Sequence, residues 1–210
     1  MRLHINLDLI KLLIFDCDGT LVDSMGAHYD SWCEIYAEHG KKFYAKEPFM
    51  HELAGRNGLN TVTIINEKLG YEFNPNSLAA KKDESFAKNY VHQVKPISRI
   101  VQIAKDYHGK LPMVVASGGS SGVVNASLKA IGIHELFLKI VAAEDVTRCK
   151  PFPDIFLAAA RHAQITNYAE CLVFEDAVIG IEAAKKAGMQ YIDINTLKEK
   201  PISNDYWSWS

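Results

Sequence analysis

The 210 residues carry 23 Lys and Arg against 25 Asp and Glu, a net charge of -2, and 48% of them are hydrophobic. This is ordinary globular composition; with no basic field to recruit nucleic acid, any anion the protein binds must meet positive charge supplied locally. Cys17, Cys33, Cys149 and Cys171 are far apart and make no C-x-x-C pair, which argues against a zinc cluster or disulfide framework and fits free thiols in a reducing compartment.

In chain order, Ile10–Phe15 is the first of five short apolar runs without clean polar alternation, the pattern of a strand covered on both faces. From Ser24 to Val94 no strand pattern occurs. Amphipathic stretches at Ala27–His39, Leu59–Leu69 and Ser77–Gln93 predict helices there, punctuated by Gly40, Gly55, Gly70 and Pro75. Helix-spaced Ile97–Tyr107 leads to a second strand, Pro112–Ala116. Ser121–Ile131 predicts a helix closed at Gly132, and Lys139–Ala143 a third strand. Asp154–Ala163 reads as a helix, Cys171–Phe174 as a fourth strand, Ile179–Ala187 as a helix ended at Gly188, and Gln190–Ile194 as a fifth strand. This alternation predicts an α/β fold, a doubly wound parallel sheet with a Rossmann-like core, carrying an inserted α-helical cap domain. The core takes residues 1–23 and 95–210, and the cap 24–94. Met1–Asn6 opens no apolar run with a cleavage site, and Leu9–Phe15 is too short to span a bilayer, so no signal peptide or membrane segment is expected. The tail Pro201–Ser210, with Trp207 and Trp209, carries no assignable pattern.

Polar residues gather at the carboxyl ends of these strands, where open α/β sheets bind ligands. Asp16 and Asp18 follow the first strand, Ser117, Gly118 and Gly119 the second, and Glu175 and Asp176 the fourth. Clustered carboxylates repel one another unless a cation joins them, and hard oxygen donors without His or Cys suit Mg²⁺. Ser117-Gly118-Gly119-Ser120-Ser121 runs into a helix, so its backbone N–H groups and the Ser117 hydroxyl can hold phosphate oxygens. Lys150, in a loop stiffened by Pro151 and Pro153, can supply the local positive charge. Carboxylates, metal, lysine and phosphate cradle together describe phosphoryl transfer. Each residue also has a plainer reading. Asp18-Gly19 is a turn former, Ser117 a helix N-cap, Lys150 a solvated lysine and Glu175-Asp176 an acidic helix cap. Cys17 reads as a small buried space-filler.

Asp16-Cys17-Asp18-Gly19-Thr20, Ser117, Lys150 and Glu175-Asp176, in that order, resemble the four motifs of the haloacid dehalogenase superfamily. Phe174–Ala184 is further similar to its β-phosphoglucomutase-like branch, which includes mutases and small sugar phosphatases. The resemblance implies that Asp16 is a nucleophile forming an aspartyl-phosphate, and that Asp18 gives and then takes a proton. It implies Mg²⁺ on the Asp16 carboxylate, the Asp18 carbonyl and Asp176, with Glu175 nearby or ligating. Lys150 would offset charge on Asp16 and the phosphoryl group, and Ser117 would hold phosphoryl oxygens, with Gly118 beside the substrate.

In the cap, His28 stands where relatives carry a histidine facing the active site. Arg56, in the loop Leu53–Gly58, is placed to meet a second anionic group on the substrate, while Lys81-Lys82 reads as a solvated helix face. Mutase relatives carry an arginine where Gly58 stands here. The expected reaction is therefore hydrolysis of a small phosphorylated sugar, with β-phosphoglucomutase as the alternative. A phospho-acceptor signalling module, with phosphorylated Asp16 as the signal, is the alternative from another class. Asp18 and the long cap argue against it, because a signal needs neither proton shuttle nor lid. The expected setting is a cytoplasmic monomer without nucleic-acid or membrane partners.

Overall fold

Leu12–Phe15, four apolar residues in a row, form a strand whose every side chain is buried. The structure, a computed structural model, describes residues 9–198; the stretches Met1–Asn6 and Pro201–Ser210 discussed above lie outside the described residues. In chain order the strands are β1 (Leu12–Phe15), β2 (Val22–Asp23), β3 (Lys95–Pro96), β4 (Met113–Ala116), β5 (Lys139–Val141), β6 (Cys171–Glu175) and β7 (Gln190–Asp193). The α-helices are α1 (Met25–Glu38), α2 (Lys46–Pro48), α3 (Gly58–Leu69), α4 (Pro75–Ser85), α5 (Ser98–Tyr107), α6 (Ser121–Ala130), α7 (Asp154–His162), α8 (Val178–Lys186) and α9 (Asn195–Lys198).

Five strands make one parallel sheet in the order β5-β4-β1-β6-β7, with Ile14 level with Val114 on one side and Val173 on the other. Because successive side chains of a strand point to opposite faces, β1 feeds two cores. Leu13 and Phe15 pack with Ile100, Val124 and Leu128 of α5 and α6. Leu12 and Ile14 pack with Ile155, Phe156 and Ala183 of α7 and α8. Each such side chain contributes about 1.5–3 kcal/mol by leaving water. The chain winds outward from β1 through β4 to β5, then crosses to β6 and β7. The winding reverses beside β1, so the carboxyl end of β1 is the place where a crevice opens.

Between β2 and β3 the chain is helical and has its own apolar cluster, centred on Trp32, Tyr36, Phe49, Val62, Ile65 and Leu78. Two details differ from the sequence expectation. The stretch Ser77–Gln93 is not one helix. α4 starts at Pro75, capped by Asn74 accepting from Ser77 N at 3.0 Å, and at Phe86 it widens into a π turn, Phe86–Tyr90, then a 3-10 turn, Val91–Gln93. A second π turn, Phe49–Leu53, continues α2. β2 and β3 pair antiparallel where the chain leaves and re-enters the sheet region; at two residues each they are too short for a periodic pattern to register. Among the described residues no helix is long and apolar enough to cross a membrane.

Candidate active site

Asp16 is the first residue past β1, and its N–H donates to Phe174 O, tying it to the adjacent strand. Asp16 is 3% exposed, and its carboxylate meets Lys150 Nζ at 2.6 Å. Lys150, expected at the site but with solvation as its ordinary fate, is buried in full. The loop ahead of α7 carries it under the sheet end, where Nζ also donates to Glu175 Oε2 at 2.7 Å. The other Glu175 oxygen accepts from Asp176 N and Ala177 N at 3.1 and 2.9 Å, ahead of α8. Glu175 therefore uses both oxygens to anchor Lys150 and the backbone before α8. Asp176 accepts from Thr20 Oγ1 at 2.9 Å.

Burial dominates the electrostatics of this group. It pushes Asp16 up to about 7, with Lys150 pulling it down and Asp176 and Asp18 adding to the rise. Glu175 is likewise raised to about 7 by burial and by Asp16, against the pull of Lys150. For Lys150, burial favours the neutral amine, but the two carboxylates outweigh it and raise its pKa. Asp16, Glu175 and Asp176 each bring an oxygen within 4.8 Å of the others. Hard carboxylate donors around a shortage of positive charge fit Mg²⁺. With Glu175 engaged on both oxygens, Asp16 and Asp176 are the better-placed donors.

The Asp18 carboxylate stands outside that trio. Its Oδ1 accepts from Ser24 Oγ at 2.6 Å and lies 3.0 Å from His28 Nε2. Behind the ring, Lys82 Nζ is 2.7 Å from His28 Nδ1. Since an ammonium only donates, Nδ1 accepts and Nε2 carries the hydrogen toward Asp18. Burial alone would push Asp18 up; His28, Ser24 and Lys82 outweigh it and hold Asp18 down at about 2. Burial and the Lys82 charge lower His28, whose ring stacks on Phe86 at 4.2 Å. Burial also lowers Lys82 itself.

Lys82 corrects the sequence expectation of a solvated face: it is 5% exposed and lies over the Phe86 ring at 5.0 Å. The signal was present, because Leu78, Lys82, Ser85 and Phe86 share one helical stripe and every one of them is buried.

Ser117 is buried at the end of β4, and its Oγ accepts from Gly119 N at 3.0 Å. It is not an N-cap, since α6 starts four residues later. Nor does α6 offer its first amide to a ligand, because Ser121 N is taken by Glu144. Gly118 meets the loop after the Phe49–Leu53 turn so closely that a Cβ would stand 2.7 Å from Gly55 O. Arg56 follows on that loop, its Nε donating to Glu52 O at 2.9 Å, and Asn57 Nδ2 reaches Cys149 Sγ at 3.0 Å. Asp16, Asp18, His28, Arg56, Ser117 and Gly118 all line one cavity of about 330 Å³, with Lys150 bonded behind Asp16. Cys17 is fully buried, and burial with its two flanking aspartates pushes the thiol up, which leaves it a space-filler.

Gly180 shows how tightly the anchor is packed. A Cβ on it would overlap the Glu175 carboxylate. Gly180→Ala should therefore displace Glu175 and release Lys150, lowering stability by about 2–4 kcal/mol in urea titration and activity with it. A change within about 0.5 kcal/mol would contradict that placement.

The carboxylate pair also sets a pH dependence. A carboxyl raised on folding stabilises below the ordinary carboxylate range, and that stability is lost as pH rises through the folded value, here about 7 for Asp16 and Glu175. A bound cation must displace the same proton. The thermal shift produced by Mg²⁺ should therefore be larger at about pH 8 than at about pH 6, and a chelator should reverse it. An equal shift at both would count against Asp16 as a ligand.

The chain is similar to known proteins in sequence and in fold. The pattern of the haloacid dehalogenase-like hydrolases matches residues 13–194. Fructose-1-phosphate phosphatase YqaB of Escherichia coli (strain K12) is 34% identical over 185 residues, covering 88% of this chain and 96% of that protein. The fold is also similar to that of solved structures, two of which serve as examples. CbbY from Rhodobacter sphaeroides in complex with phosphate has a TM-score of 0.77 at 24% identity, over 87% of this chain and 84% of its own. β-Phosphoglucomutase from Clostridium difficile has a TM-score of 0.77 at 23% identity, over 95% and 93%. A match running from β1 to the end of β7, with a relative aligned over nearly its full length, leaves one assignment: the chain belongs to the haloacid dehalogenase-like hydrolase family and is a phosphohydrolase.

Proposed function

We propose that the protein is a Mg²⁺-dependent phosphatase of small phosphorylated sugars that works through an aspartyl-phosphate on Asp16. One observation carries this reading. Two aspartates two residues apart face different partners, Asp16 the Lys150 ammonium and Asp18 the Ser24–His28 pair. The partners divide the roles: Asp16 sits on a cation that can offset phosphoryl charge, and Asp18 on a chain of proton-bearing groups, Ser24, His28 and, behind the ring, Lys82.

An oxygen of Asp16 attacks phosphorus as the bond from phosphorus to the sugar oxygen breaks. Lys150 offsets the charge building on Asp16 and the phosphoryl oxygens, and the Ser117 hydroxyl donates to one of them. Asp18 rests ionised, but an incoming phosphoryl dianion raises its affinity for a proton. A proton then moves from His28 Nε2 to Asp18 while Nδ1 takes one from Lys82, and Asp18 passes it to the departing sugar oxygen. A water next attacks the aspartyl-phosphate as its bond to the Asp16 oxygen breaks, Asp18 accepts the water's proton and returns it through His28 to Lys82, and inorganic phosphate leaves. Asp16 and Asp176, with the Asp18 carbonyl and Glu175 close by, would hold Mg²⁺, which when bound neutralises phosphoryl charge.

The helical segment 24–94 serves as the cap in this reading, since it brings His28, Lys82 and Arg56 to the cavity. The Escherichia coli relative supports a sugar phosphate as substrate. The four free thiols support a reducing, cytoplasmic setting. The test is phosphate release from a panel of hexose, pentose and polyol phosphates with and without Mg²⁺. Turnover on several of them, lost on chelation, is expected; no Mg²⁺-dependent turnover on any would defeat the reading.

A further inference from the structure

α6 begins at the edge of the cavity, at the end of the loop Ser117–Ser120. Its N-cap residue, Ser120, makes no side-chain cap bond. Glu144, in the turn after β5, supplies one instead. Its carboxylate oxygens accept from Ser121 N at 2.8 and 3.1 Å, and Oε1 also accepts from Ser121 Oγ at 2.8 Å. A helix N-terminus carries partial positive charge and attracts anions; here a carboxylate of the protein already holds that position. Glu144 and Ser120 both line the cavity, and so does Asp83. Of the cations on the same walls, Lys82 is already paired within the protein, bonded to His28 and Asp83, and Arg56 is held on its loop through one nitrogen, its Nε donating to Glu52 O. Gly58, also on the wall, adds no charge.

We propose that Glu144 is a specificity-determining residue, selecting phosphate monoesters with a neutral hydroxylated body and excluding substrates with a second phosphate or a carboxylate at the α6 end of the cavity. This deepens the phosphatase reading and rests on it. The reacting phosphoryl group has its counter-charge at Lys150. A second anionic group reaching α6 would meet a carboxylate where an open helix would present amides. The same repulsion disfavours a sugar bisphosphate, which a mutase must hold.

The experiment compares wild type with Glu144→Gln on fructose 1-phosphate and fructose 1,6-bisphosphate, reading kcat/KM by phosphate release and affinity by calorimetry in Mg²⁺. Glutamine keeps an oxygen for Ser121 N, and a melting curve checks that α6 stays capped. For Glu144→Gln, kcat/KM on the bisphosphate should rise about 5–10-fold relative to the monophosphate, a gain that shrinks with added salt. An equal change on both ligands, or none, overturns the proposal. Absence of monophosphate turnover by wild type would instead count against the phosphatase reading. The calorimetric ratio then decides the role of Glu144 by itself: no relative gain in bisphosphate affinity overturns it, and a gain supports it.

Discussion

Asp16→Asn should lower the proposed Mg²⁺-dependent phosphate release by about 10⁴-fold or more and leave the fold intact. The asparagine has the same shape, so the packing against β6 is kept, but an amide oxygen does not attack phosphorus. The fold tolerates the change because burial penalises the ionised carboxylate, which is pushed up to about 7. An amide in its place removes that penalty, while Lys150 keeps its 2.7 Å contact with Glu175. Phosphate release and thermal melting, measured on the same preparation, check both halves. Residual activity above roughly a hundredth of wild type would mean that another group attacks phosphorus.

The second large effect is on stability. Lys150→Met leaves Asp16 and Glu175 side by side in the interior without their cation. Removing one partner of a buried ion pair costs about 3–5 kcal/mol, because the charge left behind is uncompensated. Both side chains of the pair with Glu175 are fully enclosed, so solvent screening does not soften the loss. The cost should grow with pH. Both carboxyls are already raised to about 7, and without Lys150 they rise further. Stability is retained where they are protonated and falls as pH climbs through those values. Urea titrations at about pH 6 and about pH 8 read the effect, and Mg²⁺ should restore part of the loss by neutralising Asp16. A variant within about 1 kcal/mol of wild type at the higher pH would contradict the assigned role of Lys150.

Much of this was legible because strand ends and motifs coincide. Five apolar runs marked the sheet to within two residues at each end, and the residues just past three of them, Asp16, Ser117 and Glu175-Asp176, are the ones brought together. What stayed hidden depends on contacts between distant parts of the chain. Lys82 carries no local sign of meeting His28, 54 residues earlier. Glu144 looks like any turn carboxylate until it is found on Ser121. Glu175 shows nothing in the sequence of its bonds to Lys150, 25 residues earlier, or to the amides of Asp176 and Ala177. β2 and β3 are too short to carry a pattern, and the π turn at Phe86 breaks a helix whose apolar spacing runs on without interruption.

The most direct measurement is the mass of the Asp16 peptide after reaction. Asp18→Asn protein can be mixed with Mg²⁺ and an aryl phosphate, whose leaving group needs no proton, then quenched in acid and digested. The intermediate should persist, since an amide in place of the Asp18 carboxylate cannot activate the attacking water, and the peptide with Asp16 should gain the mass of one phosphoryl group. Turnover with no adduct, or an adduct on another residue, would contradict covalent catalysis by Asp16.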